Sequence, residues 1–253
     1  MPDRQPRLTT FGAIDSFFGG IGFVLTTPRL WGLAVIPAVV LVLLFGGFLA
    51  LCIWGAASFD ATLFGHDRGT WGAVGYWTLL VFLIFIGILI ALLLALAFAE
   101  PLSGFALERI SRAQTEAITG THPKLPSLFA SIWLSLCAVL FAVALGGSAL
   151  VVLFVVNVFY PPAVVVTVPL KVLVCSWMLA WDLLDYPLGL RGMGLWKRLK
   201  WVIRHFGAFT LFGFLWASMA VIPGVVLVLL PMGVAGATQM VLRDDPRSSN
   251  ESE

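Results

Sequence analysis

Charge is scarce in this chain: 11% of its 253 residues are charged, against roughly a quarter in a soluble domain. No polar stretch is long enough for a second, water-soluble domain. Cysteine is limited to Cys52, Cys137 and Cys175, all inside apolar runs at unrelated spacings. That excludes a disulfide framework and reads as small buried hydrophobes. The three histidines, His66, His122 and His205, lie in separate segments. There is no H-E-x-x-H, no phosphate-cradling loop, and Gly19-Gly20-Ile21-Gly22 follows no strand, so neither an enzyme nor a cofactor site is expected. The formal net charge of +2 is uninformative as a total, and no nucleic-acid partner is expected. The N-terminal segment has no A-x-A-like cleavage pattern, so the first apolar run is expected to target the chain.

Apolar residues fill the space that charge leaves, with 60% hydrophobic residues and a mean hydropathy of +1.01. They gather in four long runs, at 30–54, 73–99, 128–181 and 206–242. A helix rises about 1.5 Å per residue, so roughly 20 apolar residues cross a hydrocarbon core of about 30 Å. The first two runs suit single crossings. The last two are too long for one crossing and are broken by Asn157-Tyr160-Pro161-Pro162 and by Pro223-Gly224, which predicts helical hairpins that either span or penetrate partway. The fold class is therefore an all-α integral membrane protein. Residues 1–242 form one membrane domain: an amphipathic helix at 8–25, crossings at 28–54 and 73–99 (the latter continuing to about 119), hairpins at 128–181 and 206–242, and an interfacial helix at 194–205. A disordered cytoplasmic tail follows at 243–253.

Phe11, Ile14, Phe18, Ile21 and Leu25 recur at helical spacing opposite Asp15 and Ser16, the pattern of an interfacial helix. Thr27-Pro28 is a start signal for the first crossing. On the second, Gly87, Ala91, Ala95 and Ala99 set small side chains on one face for a close neighbour. If both hairpins return to the side they enter from, thirteen of the fifteen Lys and Arg share one face, Arg68 lies opposite, and Lys171 is left within the membrane. The positive-inside rule makes that face, and both termini, cytoplasmic. Between the hairpins, Lys197, Arg198, Lys200 and Arg204 flank the stripe Leu195, Leu199, Val202, Ile203 and Phe206, a surface helix for anionic lipid.

Two cations stand out. Arg29 sits in the first turn of a helix, where free N–H groups and the dipole favour an anion; the plainer reading is a positive-inside anchor at lipid phosphate. Lys171 lies among Val168, Pro169, Leu170, Val172 and Leu173. An ammonium at membrane depth costs at least about 2.5 kcal/mol, so it needs a partner, a wet cavity or a shallow position. Glu108 and Arg109 form a polar pair on a cytoplasmic helix, and Glu108 or Asp185 is placed to orient Arg29 or Arg109 beside an anion path. No metal ligand set is expected.

Several strings carry a family resemblance: Thr27-Pro28-Arg29-Leu30-Trp31 leading to Ile36-Pro37, Glu100-Pro101-Leu102-Ser103 leading to Leu107-Glu108-Arg109-Ile110, and Leu184-Asp185-Tyr186-Pro187-Leu188 followed by Arg191-Gly192-Met193-Gly194. Leu230-Pro231-Met232-Gly233 comes near the end. Together they resemble the CysZ-like sulfate permeases of bacteria and their relatives, the etoposide-induced membrane proteins. The resemblance implies two long transmembrane helices, two hairpins, cytoplasmic termini, a homo-oligomer in the bacterial cytoplasmic (inner) membrane, and sulfate import feeding sulfur assimilation. The family's permeases carry paired arginines where this chain has Trp31 and Gly32. Arg29 is the nearby arginine. The other reading is a non-transporting membrane scaffold whose basic cytoplasmic face binds lipid or a partner protein.

Overall fold

In the computed structural model the described residues are 8–63, 70–122, 137–138, 140–220 and 225–244. The expected turn at Pro223-Gly224, the first residues of the 128–181 hairpin, Arg68, Lys124, and the tail beyond Asp244 lie outside them. Every regular element described is helical, and the protein is an all-α integral membrane protein. The helices are α1 (Thr10–Thr26), α2 (Trp31–Leu63), α3 (Thr70–Thr119), α4 (Leu140–Phe159), α5 (Val164–Leu190), α6 (Leu195–Arg204), α7 (Phe206–Ala220) and α8 (Val225–Leu242). Among the described residues three helices are long and apolar enough to cross a membrane, Pro28–Gly55, Leu140–Phe159 and Pro161–Leu190. A short 3-10 turn, Pro28–Leu30, leads into α2. The 50 residues of α3 rise about 75 Å, well beyond a hydrocarbon core of about 30 Å. It runs unbroken through Pro101 and ends at Gly120, whose φ of 65° is the left-handed cap that glycine supplies.

The chain groups into two compact units, Ile36–Gly104 and the remainder, Met1–Val35 with Phe105–Glu253. In the first, Gly87, Ala91 and Ala95 are buried, and a Cβ on Gly87 would lie 3.1 Å from the Cys52 Cβ. The strip of small residues thus lets α2 approach α3. Large side chains on the other faces, such as Val42, Leu43, Phe85 and Leu93, are exposed. Without water in the bilayer core, helices satisfy their own backbones and can turn such side chains to lipid.

The second unit packs α1, α5, α7 and α8 together with the end of α3. Its core holds Phe17, Leu107, Ile110, Leu183, Phe212, Trp216 and Val234, with the Phe17 and Trp216 rings 4.6 Å apart. Thr9 caps α1, its hydroxyl accepting the Gly12 N–H at 3.3 Å. The expected apolar stripe of α1 faces outward, with Phe11 81% and Phe18 64% exposed. Its opposite face departs from expectation: Ser16 is fully buried, with Ala13, Phe17 and Gly20. Gly20 is the reason, since a Cβ there would stand 2.4 Å from the Met232 carbonyl oxygen and the Gly236 nitrogen. Backbone meets backbone where α1 crosses α8. Gly213 makes the equivalent notch between α7 and α5, with a Cβ falling 2.3 Å from the Ser176 oxygen.

Candidate functional site

The chain reverses after α5 because Gly192 takes a φ of 65°, with Gly192 N–H donating to Gly189 O at 2.8 Å and Met193 N–H to Leu188 O at 3.1 Å. That turn returns α6 to the end of α5. Arg198 there pairs with Asp185 and donates from Nε to the Met193 carbonyl at 2.8 Å. The two side chains are 2% and 11% exposed. Burial draws the Arg198 guanidinium down to about 10, still a full charge at neutral pH. Tyr186 and Pro187 are buried beside it. Arg198 is therefore a correction to the lipid-facing set, since it points inward to a carboxylate. Lys197, Lys200 and Arg204 are exposed.

The corner between α6 and α7 bends by 93°, as an interfacial helix feeding a membrane arm requires. His205 sits in it, buried. Its Nδ1 lies 3.0 Å from the Trp201 carbonyl and its Nε2 3.1 Å from Asp244 Oδ1, while Trp201 Nε1 donates to Asp244 Oδ2 at 2.9 Å. The end of α8 is thereby clamped to the corner. Nothing in the sequence spacing joins residue 205 to residue 244, and this cluster was not anticipated. A second tie links Arg243 Nη1 to Asp15 Oδ2 at 3.0 Å.

Arg29 is exposed in the 3-10 turn that heads α2, with no hydrogen bond or ion pair among the described residues. The next residue but one anchors the turn, Trp31 Nε1 donating to the Val24 carbonyl at 3.0 Å. Lys171 lies on α5, ten residues after Pro161, or about 15 Å along the helix. It has no carboxylate among the described residues, and its ammonium stands 5.9 Å from the centre of the Phe154 ring on α4, within cation–π range. One turn earlier on α5, the buried Thr167 hydroxyl donates to Asn157 Oδ1 across the hairpin. Lys171, Thr167 and Asn157 thus put polar groups into an otherwise apolar pair of helices. Asp185 holds Arg198, and the Arg109 guanidinium lies 5.9 Å from the Phe105 ring centre.

A cavity of about 40 Å³ is lined by Thr115, Arg191 and Thr238 with apolar neighbours. The Thr115 hydroxyl already donates to Ser111 O at 2.9 Å and that of Thr238 to Val234 O at 2.7 Å. Both hydroxyl protons are committed, which leaves the Arg191 guanidinium as the side-chain donor among the lining residues.

The family described as Sulfate transporter CysZ/Etoposide-induced protein 2.4 matches the chain over residues 16–231. Sulfate transporter CysZ of Pseudomonas paraeruginosa is 38% identical over 93 residues, which is 34% of this chain. The matched stretch spans 35% of that relative's length.

Proposed function

The chain belongs to the Sulfate transporter CysZ/Etoposide-induced protein 2.4 family, and from that membership we propose that it is a membrane permease for sulfate or a related small oxyanion, feeding sulfur assimilation. The family match over residues 16–231 carries this reading. It acts as a multi-pass homo-oligomer of the bacterial cytoplasmic membrane with both termini in the cytoplasm, and it is a transporter and not an enzyme. The distribution of Lys and Arg supports that orientation.

Two features of the geometry support anion passage. Arg29 offers a planar, bidentate donor at the head of a membrane-crossing helix, where the positive end of the helix dipole adds to its field. Lys171 holds a positive charge within a membrane hairpin with no carboxylate to neutralise it among the described residues, as an intramembrane residue on an ion path does. Glu108 and Arg109 flank the cytoplasmic part of α3 and tune the field there. Each cation attracts an oxyanion without closing a cage around it, so the ion is released as readily as it is taken up.

The test is uptake of labelled sulfate by liposomes carrying the purified protein, beside empty liposomes. The expected result is uptake that falls at least about tenfold in Arg29→Ala and in Lys171→Met, since loss of a charge-assisted bond removes about 1.5–3 kcal/mol. Well-folded protein that moves neither sulfate, thiosulfate, phosphate nor chloride would overturn the proposal and leave the scaffold reading.

A further inference from the structure

We propose that the groove between α4, α5 and α6 binds an acyl chain of an anionic phospholipid, whose headgroup phosphate is held by Lys200 and Arg204. The groove encloses about 420 Å³, within the roughly 300–1,000 Å³ of small-molecule sites. Every described residue lining it is apolar or aromatic, a lining unsuited to a small oxyanion. It runs along the hairpin, from Phe141 to Ala149 on α4 and from Val174 to Trp181 on α5, a length of about 10–12 Å at 1.5 Å per residue. An elongated, wholly apolar slot of this kind fits a hydrocarbon chain.

Its walls are built for the purpose. Residues Val143–Gly147 of α4 form a π-helical turn, a local widening that recurs at functional sites. Trp177, on the opposite wall, is held by donating from Nε1 to Thr210 Oγ1 at 3.0 Å and stacks near Phe206 with ring centres 5.3 Å apart.

Charge identifies the occupant. Leu199 and Ile203 of α6 line the groove. Successive residues on a helix turn by about 100°, so the exposed Lys200 and Arg204 follow immediately round α6 from Ile203, with the exposed Trp196 beside them. Neither cation has an ion pair among the described residues. Because α6 meets α7 at 93°, an interfacial α6 sets these cations beside the groove at headgroup level. Paired cations beside an apolar slot fit a lipid that brings a phosphate and a chain together.

The experiment places the whole protein in mixed phosphatidylglycerol–phosphatidylcholine liposomes containing a trace of either lipid with a diazirine in mid-chain. After illumination, adducts are mapped by peptide mass spectrometry. Adducts within 141–149 and 174–181 are expected to be about fivefold or more heavier with the phosphatidylglycerol probe, a factor that one cation near the headgroup supplies. Lys200→Gln with Arg204→Gln, both exposed and harmless to folding, should bring that excess down to the phosphatidylcholine level. Ala149→Phe should reduce groove adducts from both probes relative to the outward Val151. Equal labelling by the two probes in the unaltered protein would overturn the proposal. So would an unlabelled groove, and Ala149→Cys that then cross-links to a second copy or to residues 123–136 would name the true occupant. Sulfate flux is not a readout here, so this proposal and the permease reading stand or fall separately.

Discussion

A single ion pair shows how one residue is assigned its role. Arg198 and Asp185 are both largely out of solvent, and a charge left alone in such a place costs far more than the pair contributes. Arg198→Ala is therefore expected to destabilise the protein by about 3–5 kcal/mol, read as a lowered unfolding midpoint in detergent. The double change Arg198→Met with Asp185→Leu should recover most of that loss, because removing both charges together strands neither. A double variant as unstable as the single one would show that the pair is not what matters. The Asp185-Tyr186-Pro187 string and its basic follow-on were plain in the sequence, but Arg198 was grouped with the lipid-facing cations. A signal was available: Arg198 stands three residues after Leu195 and four before Val202, on the apolar stripe of α6 and not opposite it. Its partner could not be read, because Asp185 lies thirteen positions away and the chain between them bends through a glycine turn.

Glycine has opposite meanings at neighbouring positions of one helix. In α1, Gly20 meets the backbone of α8, whereas nothing lies within 4 Å of a Cβ on Gly22. Gly20→Leu should push α1 off α8 and cost about 1–3 kcal/mol or more, the usual penalty of overpacking. Gly22→Ala should leave the thermal midpoint unchanged or raise it slightly, since alanine favours helix over glycine. Equal effects of the two would argue against the observed crossing. Gly20 lies on the docking surface of α1, and hydrophobic periodicity could not reveal this because a glycine weighs the same whether its missing side chain faces a helix or open space. The stripe Phe11, Phe18 and Leu25 was readable, since large apolar residues at helical spacing announce a face whatever covers it.

The whole chain is oriented by where its cations fall. With the three native cysteines replaced, an impermeant thiol reagent added outside cells should label Asp67→Cys and spare Thr121→Cys until the membrane is opened. The reverse pattern would invert the protein in the bilayer. This expectation needs only the sequence, because charge bias acts on polar segments one at a time as they meet the membrane.

The same locality explains how much was legible beforehand. Membrane residence and the all-helical class follow from hydropathy summed along short windows, and from the rule that backbone in lipid must bond within its own helix; family kinship was visible in short strings of residues. Three-dimensional packing alone decided that Arg198 turns inward, that Gly20 and Gly213 are notches, that Asp244 clamps His205 and Trp201, and that an apolar groove opens beside Lys200. Each depends on which distant segments touch, as when Asp15 meets Arg243 across 228 positions, and no window along the chain contains both members of such a contact.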